Sequence, residues 1–372
     1  MRFHVLGIPH TVTDPEYSSC AFTQKVVKLC RMLMMEGHEV FHYGHEGSNV
    51  HTTEHVTVTN DSDLDRSFPG WNWRTQGFPP FTGNELCNIV FNTIVPIEIM
   101  KRYRPGDMLL CSFGLGHKAV ADACPMVTPV ETGIGYPHGT FAKFRIFESY
   151  ACMHAYQGIG AAAMAGEGHW YDAVIPNAFD IDQFHYTEKK EDFFLFLGRQ
   201  NVGKGIHIAK DMACKLDIPL YVAGQGTQGA DTTWVKYLGL LGPGARATVL
   251  AQARFTICAS TFLEPFCGVQ IESMISGTPV ISSDWGAFAE YNRHGRTGYR
   301  CRTFEQFMWA ANHIGRIDPV NCRKWGERFS LEKIAPRYTD YLQSVQDVIS
   351  GKGFYELHPE RTTLLNSSNF PG

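Results

Sequence analysis

Apolar and polar positions along the chain repeat with two different periods. Residues 3–8 form a short apolar run, the pattern of a buried strand. Residues 21–36 place Val26, Val27, Leu29, Leu33 and Met34 on one helical face, and Gly37 stops that helix. A strand over 39–43 follows, so the chain opens βαβ. Such an opening predicts a parallel sheet with right-handed crossovers. Farther on, 85–101 reads as a helix, 107–112 as a strand, 117–123 as a short helix and 126–130 as a strand. Residues 56–82 are polar and aromatic with turn signals at Pro69-Gly70-Trp71 and Phe78-Pro79-Pro80, and they predict an irregular insertion. Residues 141–155 read as one amphipathic segment. A second alternation starts at 193–197 and continues through 220–223 and the strands described next. Residues 331–348 predict a long final helix, and 352–372 lack helical periodicity.

The most informative stretch runs from 255 to 290. It predicts a strand (255–260), a loop (261–267), a helix (268–276) that Gly277 and Pro279 end, and a strand (278–282). Within it, Glu264-Pro-Phe-Cys-Gly-Val-Gln-Ile-Glu272 places two carboxylates on either side of a helix start. The first amides of that helix, at Cys267, Gly268 and Val269, have no backbone acceptors and suit a phosphate. Glu272, one turn further in, suits the paired hydroxyls of a ribose. Glu264, in the loop, suits the hydroxyls of a sugar. The layout reads as a nucleotide-sugar site.

These residues carry a family resemblance. The Glu264–Glu272 spacing, Gly277-Thr278-Pro279-Val280-Ile281 and Ser283-Asp284-Trp285-Gly286 together resemble the donor signature of retaining GT-B glycosyltransferases, more narrowly of glycosyltransferase family four. The resemblance implies an α/β fold of two Rossmann-like domains facing a central cleft. Residues 1–178 would form the acceptor domain and 179–345 the donor domain, with 346–372 a tail packing back on the first. The segment 173–180, with Asn177-Ala178, resembles the family's interdomain junction, and 331–348 is the candidate for a helix returning to the first domain. In the family the first loop is glycine-rich, whereas here 9–20 contain no glycine.

Arg199 and Lys204 lie in Gly198-Arg-Gln-Asn-Val-Gly-Lys-Gly205, after a strand and before a helix. The run nearly matches a phosphate loop, but Gly205 replaces the hydroxyl residue that would hold magnesium. The resemblance implies instead that Arg199 and Lys204 bind the donor diphosphate, neutralising charge on the leaving group without a metal. It implies a base contact at Leu241 and adds Phe266 to the donor-binding set. Gly224-Gln-Gly226-Thr-Gln-Gly229 reads as a turn lining the nucleotide cleft, since no convincing helix follows it as a dinucleotide fingerprint requires. His38-Glu39-Val40-Phe41-His42 spells a zinc-protease motif, but on a predicted strand. Its histidines would stand about 13 Å apart at ~3.3 Å per residue, too far for one ion.

In the first domain, Glu131 closes a predicted strand where family members carry a group near the reacting sugar carbon. The alternative is a turn carboxylate capping the next segment. His10, His117 and His138 follow predicted strands on the same sheet edge and are acceptor-side candidates. The basic and aromatic clusters at 101–104 and 143–145 suit a lipid headgroup, an anionic glycan or DNA, or simply a solvated face.

Composition narrows the function classes. The 372 residues are 44% hydrophobic and 19% charged, as in a globular chain of about two domains. A net charge of −4 and pI near 6.5 give no global attraction to a polyanion. Eleven cysteines without a C-x-x-C pair predict reduced thiols and a cytoplasmic location. No run approaches the roughly 20 apolar residues of a spanning helix, which leaves a peripheral membrane contact open. The expected activity is retaining, metal-independent transfer of a sugar from a UDP- or GDP-type donor, without a cofactor. The acceptor would be a glycan or lipid-linked hydroxyl, or a hydroxymethylated base of DNA. A GT-B epimerase or phosphorylase and a non-catalytic nucleotide-sugar binding module are the other readings.

Overall fold

The computed structural model describes residues 1–17, 19–73, 75–77, 79, 81–136, 139–159, 169–226, 229–353, 356 and 358. The chain divides into two compact units. One comprises Met1–Glu148, Ala155–Ala178 and the described residues from Leu331 on; the other comprises Ser149–His154 and Phe179–Ser330.

The first unit is built on seven parallel strands: β1 (Arg2–Leu6), β2 (Glu39–His45), β3 (Glu54–Thr59), β4 (Met108–Cys111), β5 (Thr128–Ile134), β6 (Phe144–Phe147) and β7 (Asp172–Val174). Their order is β3-β2-β1-β4-β5-β6-β7, so the chain winds outward from β1, then returns to place β4 on its other side. Strands in such a sheet are covered on both faces, which explains their near-continuous apolar runs. The helix Ala21–Met35 buries Val26, Leu29, Cys30 and Leu33 in the same core as Leu331, Ile334, Tyr338, Leu342 and Val345 of the helix Leu331–Ile349.

Two expectations fail here. Residues 56–82 are not wholly irregular: Val56 and Val58 lie on the parallel edge strand β3, and a helix Asp61–Ser67 follows. A reciprocal cap starts that helix, Asn60 accepting from the Asp63 amide while Asp63 accepts from the Asn60 amide. Residues 141–155 are not one amphipathic element either. Phe144–Phe147 is a sheet strand with Phe144, Ile146 and Phe147 buried, and a separate helix starts at Tyr150. Arg145 ion-pairs across to Asp172 on the neighbouring strand, Nε to Oδ1 at 2.7 Å.

The second unit carries six parallel strands: β8 (Phe194–Leu197), β9 (Leu220–Ala223), β10 (Val235–Gly239), β11 (Phe255–Cys258), β12 (Val280–Ser283) and β13 (Gly298–Cys301). Their order is β10-β9-β8-β11-β12-β13. Phe194 and Phe255, both fully buried, stack with centroids 4.8 Å apart where β8 meets β11. Burial of each contributes roughly 1.5–3 kcal/mol. Among the described residues, no helix is long and apolar enough to cross a membrane.

Candidate functional site

In a parallel sheet, ligands collect beyond the carboxyl ends of strands where the winding reverses. In the second unit that point lies between β8 and β11. The loops leaving these two strands carry residues 198–205 and 259–267.

Glycines let the loops meet. Gly205 has φ +75, and a Cβ there would stand 2.1 Å from the Ala259 carbonyl oxygen, so no other residue fits without moving the backbone. Gly224, with φ +123, similarly brings the turn after β9 against Gly198, and the Gln200 amide donates to the Gln225 carbonyl at 2.8 Å. The glycine-rich turn therefore does border the loop after β8, although Thr227 and Gln228 lie outside the described residues.

Across this junction Lys204 Nζ donates to Glu264 Oε1 at 2.5 Å, and Ser260 Oγ donates to the same oxygen at 2.5 Å. Asn201 fixes the lysine's backbone, its side chain accepting from the Lys204 amide at 2.9 Å. Burial disfavours the Lys204 ammonium, but the thiols of Cys267 and Cys258 and the Glu264 carboxylate outweigh it and hold its pKa above the ordinary lysine value. Arg199, on the same loop, is exposed and makes no side-chain hydrogen bond or ion pair among the described residues.

Glu264 is almost fully buried, and its backbone is gripped as well: its carbonyl accepts from the Ala287 amide at 3.0 Å. Gly286 permits this approach, since a Cβ there would lie 3.0 Å from the Glu264 oxygen at φ +59. Cys267 adopts the left-handed region (φ 63) and turns the chain into the helix Gly268–Ile275. Gly268 and Val269 lie in that helix's first turn. Phe266 points elsewhere: its ring is buried against Phe179, Tyr291 and Phe329, so only its backbone remains for a ligand.

Glu272 reaches back towards the helix start, with Oε1 3.7 Å from where a Cβ on Gly268 would stand. Its other oxygen is taken by a residue the sequence did not single out. Arg246, in the helix Pro243–Gln252, donates both Nε (2.9 Å) and Nη2 to Glu272 Oε2. Each carboxylate thus has one oxygen held by a cation, while its other oxygen meets no donor among the described residues. Leu241 is half-buried against the small core of Phe193, Leu195, Val249 and Leu250.

In the first unit the reversal falls between β1 and β4, and His10 and His117 flank it. His117 Nε2 donates to the Gly7 carbonyl at 2.9 Å, which leaves Nδ1 as the unprotonated nitrogen of the neutral ring, buried and without a hydrogen-bond partner. The His10 ring stacks on Phe81 with centroids 4.0 Å apart. Burial lowers both pKa values to about 4. His138 lies outside the described residues.

Glu131 does not close its strand, because β5 continues to Ile134. The side chain is fully buried and accepts from Tyr136 Oη (2.8 Å) and from the Phe141 and Ala142 amides (both 2.9 Å). Burial raises its pKa against these bonds. The geometry is that of a clasp on the segment that follows.

The His38–His42 motif lies at the start of β2, with His38 Nε2 bonded to Thr339 Oγ1 at 3.0 Å. Nearby, His45, Glu46 and Asp61 hold ligand-type atoms within 4.8 Å of one another. The Gly47 amide donates to His45 Nδ1, and Nε2 lies 3.5 Å from Asp61 Oδ1 without a hydrogen bond.

Residues 191–315 match the family model described as glycosyl transferases group 1. The phosphatidyl-myo-inositol mannosyltransferase of Mycobacterium tuberculosis is 29% identical over 148 residues, covering 34% of this chain and 39% of that protein. Its Mycobacterium leprae counterpart is 28% identical over 148 residues. The alignments thus span only about two fifths of these relatives. Solved structures match almost the whole chain. AviGT4, a glycosyltransferase involved in avilamycin A biosynthesis, superposes with a TM-score of 0.69 at 19% identity, covering 94% of this chain and 98% of that one. Sucrose-phosphate synthase from Thermosynechococcus elongatus gives 0.70 at 16% identity over 94% of this chain and 100% of that one. Anabaena HepE in complex with UDP and glucose gives 0.65 at 16% identity, over 92% and 100%. Residues 191–315, which match the glycosyl transferases group 1 model, form most of the second unit of a chain with the GT-B fold.

Proposed function

We propose that the chain transfers a sugar from a nucleoside diphosphate sugar to a hydroxyl acceptor with retention at the anomeric carbon. The observation that carries this reading is the Lys204–Glu264 contact at the β8–β11 reversal, next to the start of the helix that bears Glu272. Lys204 and Arg199 compensate the diphosphate as it departs. Charge placed in advance where negative charge develops is worth about 3–4 kcal/mol per donor in well-studied enzymes. The helix amides at Gly268 and Val269 add to that compensation. The unengaged oxygen of Glu264 accepts from the sugar hydroxyls, and that of Glu272 from the ribose.

The bond between the anomeric carbon and the phosphate oxygen breaks, and the acceptor oxygen bonds to that carbon on the same face. The acceptor's proton passes to the departing phosphate, so no separate base residue is required. Charge compensation is assigned to Arg199 and Lys204 rather than to a metal. The mycobacterial relatives, phosphatidyl-myo-inositol mannosyltransferases, support a lipid-linked hydroxyl as acceptor, and the UDP bound by Anabaena HepE supports a nucleotide donor.

Thermal shift against UDP, GDP, ADP and their common sugars would select the donor. NMR of the product with a lipid-linked and a glycan acceptor would then read the anomeric configuration. Inverted product, or full transfer by folded Glu264→Ala and Lys204→Ala proteins, would overturn the assignment. Isomerised sugar without an acceptor would identify an epimerase.

A further inference from the structure

We infer that Arg246 is a positioning residue: it holds Glu272 so that the carboxylate selects a nucleotide bearing ribose hydroxyls. This rests on the nucleotide-sugar reading above and names a residue that neither the motif spacing nor the family match assigns.

Arg246 sits in the first turn of the helix Pro243–Gln252, on the crossover between β10 and β11, and its amide is tied to the Gly242 carbonyl at 2.9 Å. From there its side chain reaches the start of another helix and places Nε and Nη2 on one oxygen of Glu272. Both side chains are mostly buried, at 21% and 11% exposure, so the pair is poorly screened by solvent. No second cation contacts Glu272 among the described residues.

The geometry has a directional consequence. With two donors on Oε2, the carboxylate cannot rotate freely, and Oε1 stays over the first turn of Gly268–Ile275. A fixed, ionised acceptor rewards two hydroxyls presented together and is left unpaired by a ligand that lacks them. A freely rotating carboxylate would re-pair with water and discriminate less. A planar guanidinium is suited to this because its donors are fixed relative to one another, whereas an ammonium is a point charge on a flexible stem.

The test compares wild type, Arg246→Met and Arg246→Lys by calorimetry with UDP, GDP and ADP and with the 2′,3′-dideoxy forms of the same diphosphates. Wild type is expected to prefer the ribo form of the nucleotide it binds. Arg246→Met is expected to lose about tenfold or more in affinity for the ribo form, with little change for the dideoxy form. Arg246→Lys, which keeps the charge and protects the fold, is expected to show a smaller loss of preference. An unchanged ribo-to-dideoxy ratio in either folded variant overturns the inference while leaving nucleotide binding intact. If wild type binds none of the diphosphates, the nucleotide-sugar reading itself fails, and this inference falls with it.

Discussion

Lys204 Nζ lies 2.5 Å from Glu264 Oε1, so one mostly buried ion pair joins the loops that leave β8 and β11. Removing one partner strands the other. Lys204→Met is expected to destabilise the protein by about 3 kcal/mol, near the lower end for a broken buried pair because the lysine keeps some solvent contact. Glu264→Gln retains an oxygen for Lys204 and Ser260 and is expected to lose less. Urea denaturation of both variants checks the order. Stabilities equal to wild type in both variants would mean that the pair contributes nothing to joining the loops.

Two glycines of the second unit should respond to alanine in opposite directions. Gly205→Ala forces a side chain into the left-handed region and onto the Ala259 carbonyl. It is expected to lose at least about 1–2 kcal/mol from backbone conformation alone, and nucleotide binding with it. Gly244 has open space around its Cβ position and lies within the helix Pro243–Gln252. Gly244→Ala should stabilise by about 0.4–1 kcal/mol. Thermal denaturation of the two variants reads both signs.

The first unit should weaken in acid. His10 and His117 stay neutral down to about 4, and His42 to about 3, because burial penalises the charged ring. Above the ordinary histidine value of about 6.5, folded and unfolded chains carry the same neutral rings, and full stability is present. Between about 6.5 and 4 the unfolded chain binds protons that the fold refuses, so stability falls as the pH falls. Each such ring removes at most about 3 kcal/mol across that window. Urea midpoints at pH 7.5 and pH 5 measure the slope, and His117→Gln, which can still donate to the Gly7 carbonyl, should flatten it.

Glu131 should tolerate an amide but not a deletion. In Glu131→Gln one oxygen still receives the Phe141 and Ala142 amides, while the new NH₂ can donate to Tyr136, so stability should be close to wild type. Glu131→Ala leaves three donors without this partner, one of them the buried Ala142 amide, and a buried donor left unpaired costs about 1–3 kcal/mol. Sugar transfer by Glu131→Gln is expected to persist. Its loss at unchanged melting temperature would return Glu131 to the reacting centre.

What could be read from sequence was what lies close together along the chain. Glu264 and Glu272 sit within one βα unit, and their spacing placed a loop carboxylate and a helical one. Arg246 was invisible because its partner is 26 residues away on another element and its own helix has no signature. Sequence left Glu131 open between a site role and a cap, because its donors, Phe141 and Ala142, return only after an intervening loop. The strand β6 was not separated from the helix after it, because in four residues the strand and helix periods are hard to distinguish. The strand β3 was passed over among polar neighbours, although the Asn60–Asp63 cap was there to be read.

The sheet β8–β13 and every residue of the candidate site in it fall within one uninterrupted run, 179–330. Genetic excision of that run would move the site as a single cassette. The other unit is stitched from both ends of the chain, because its closing helix is encoded only after the cassette ends. A fragment stopping at Ala178 would lack the cover over Val26, Leu29 and Leu33 and should aggregate rather than fold.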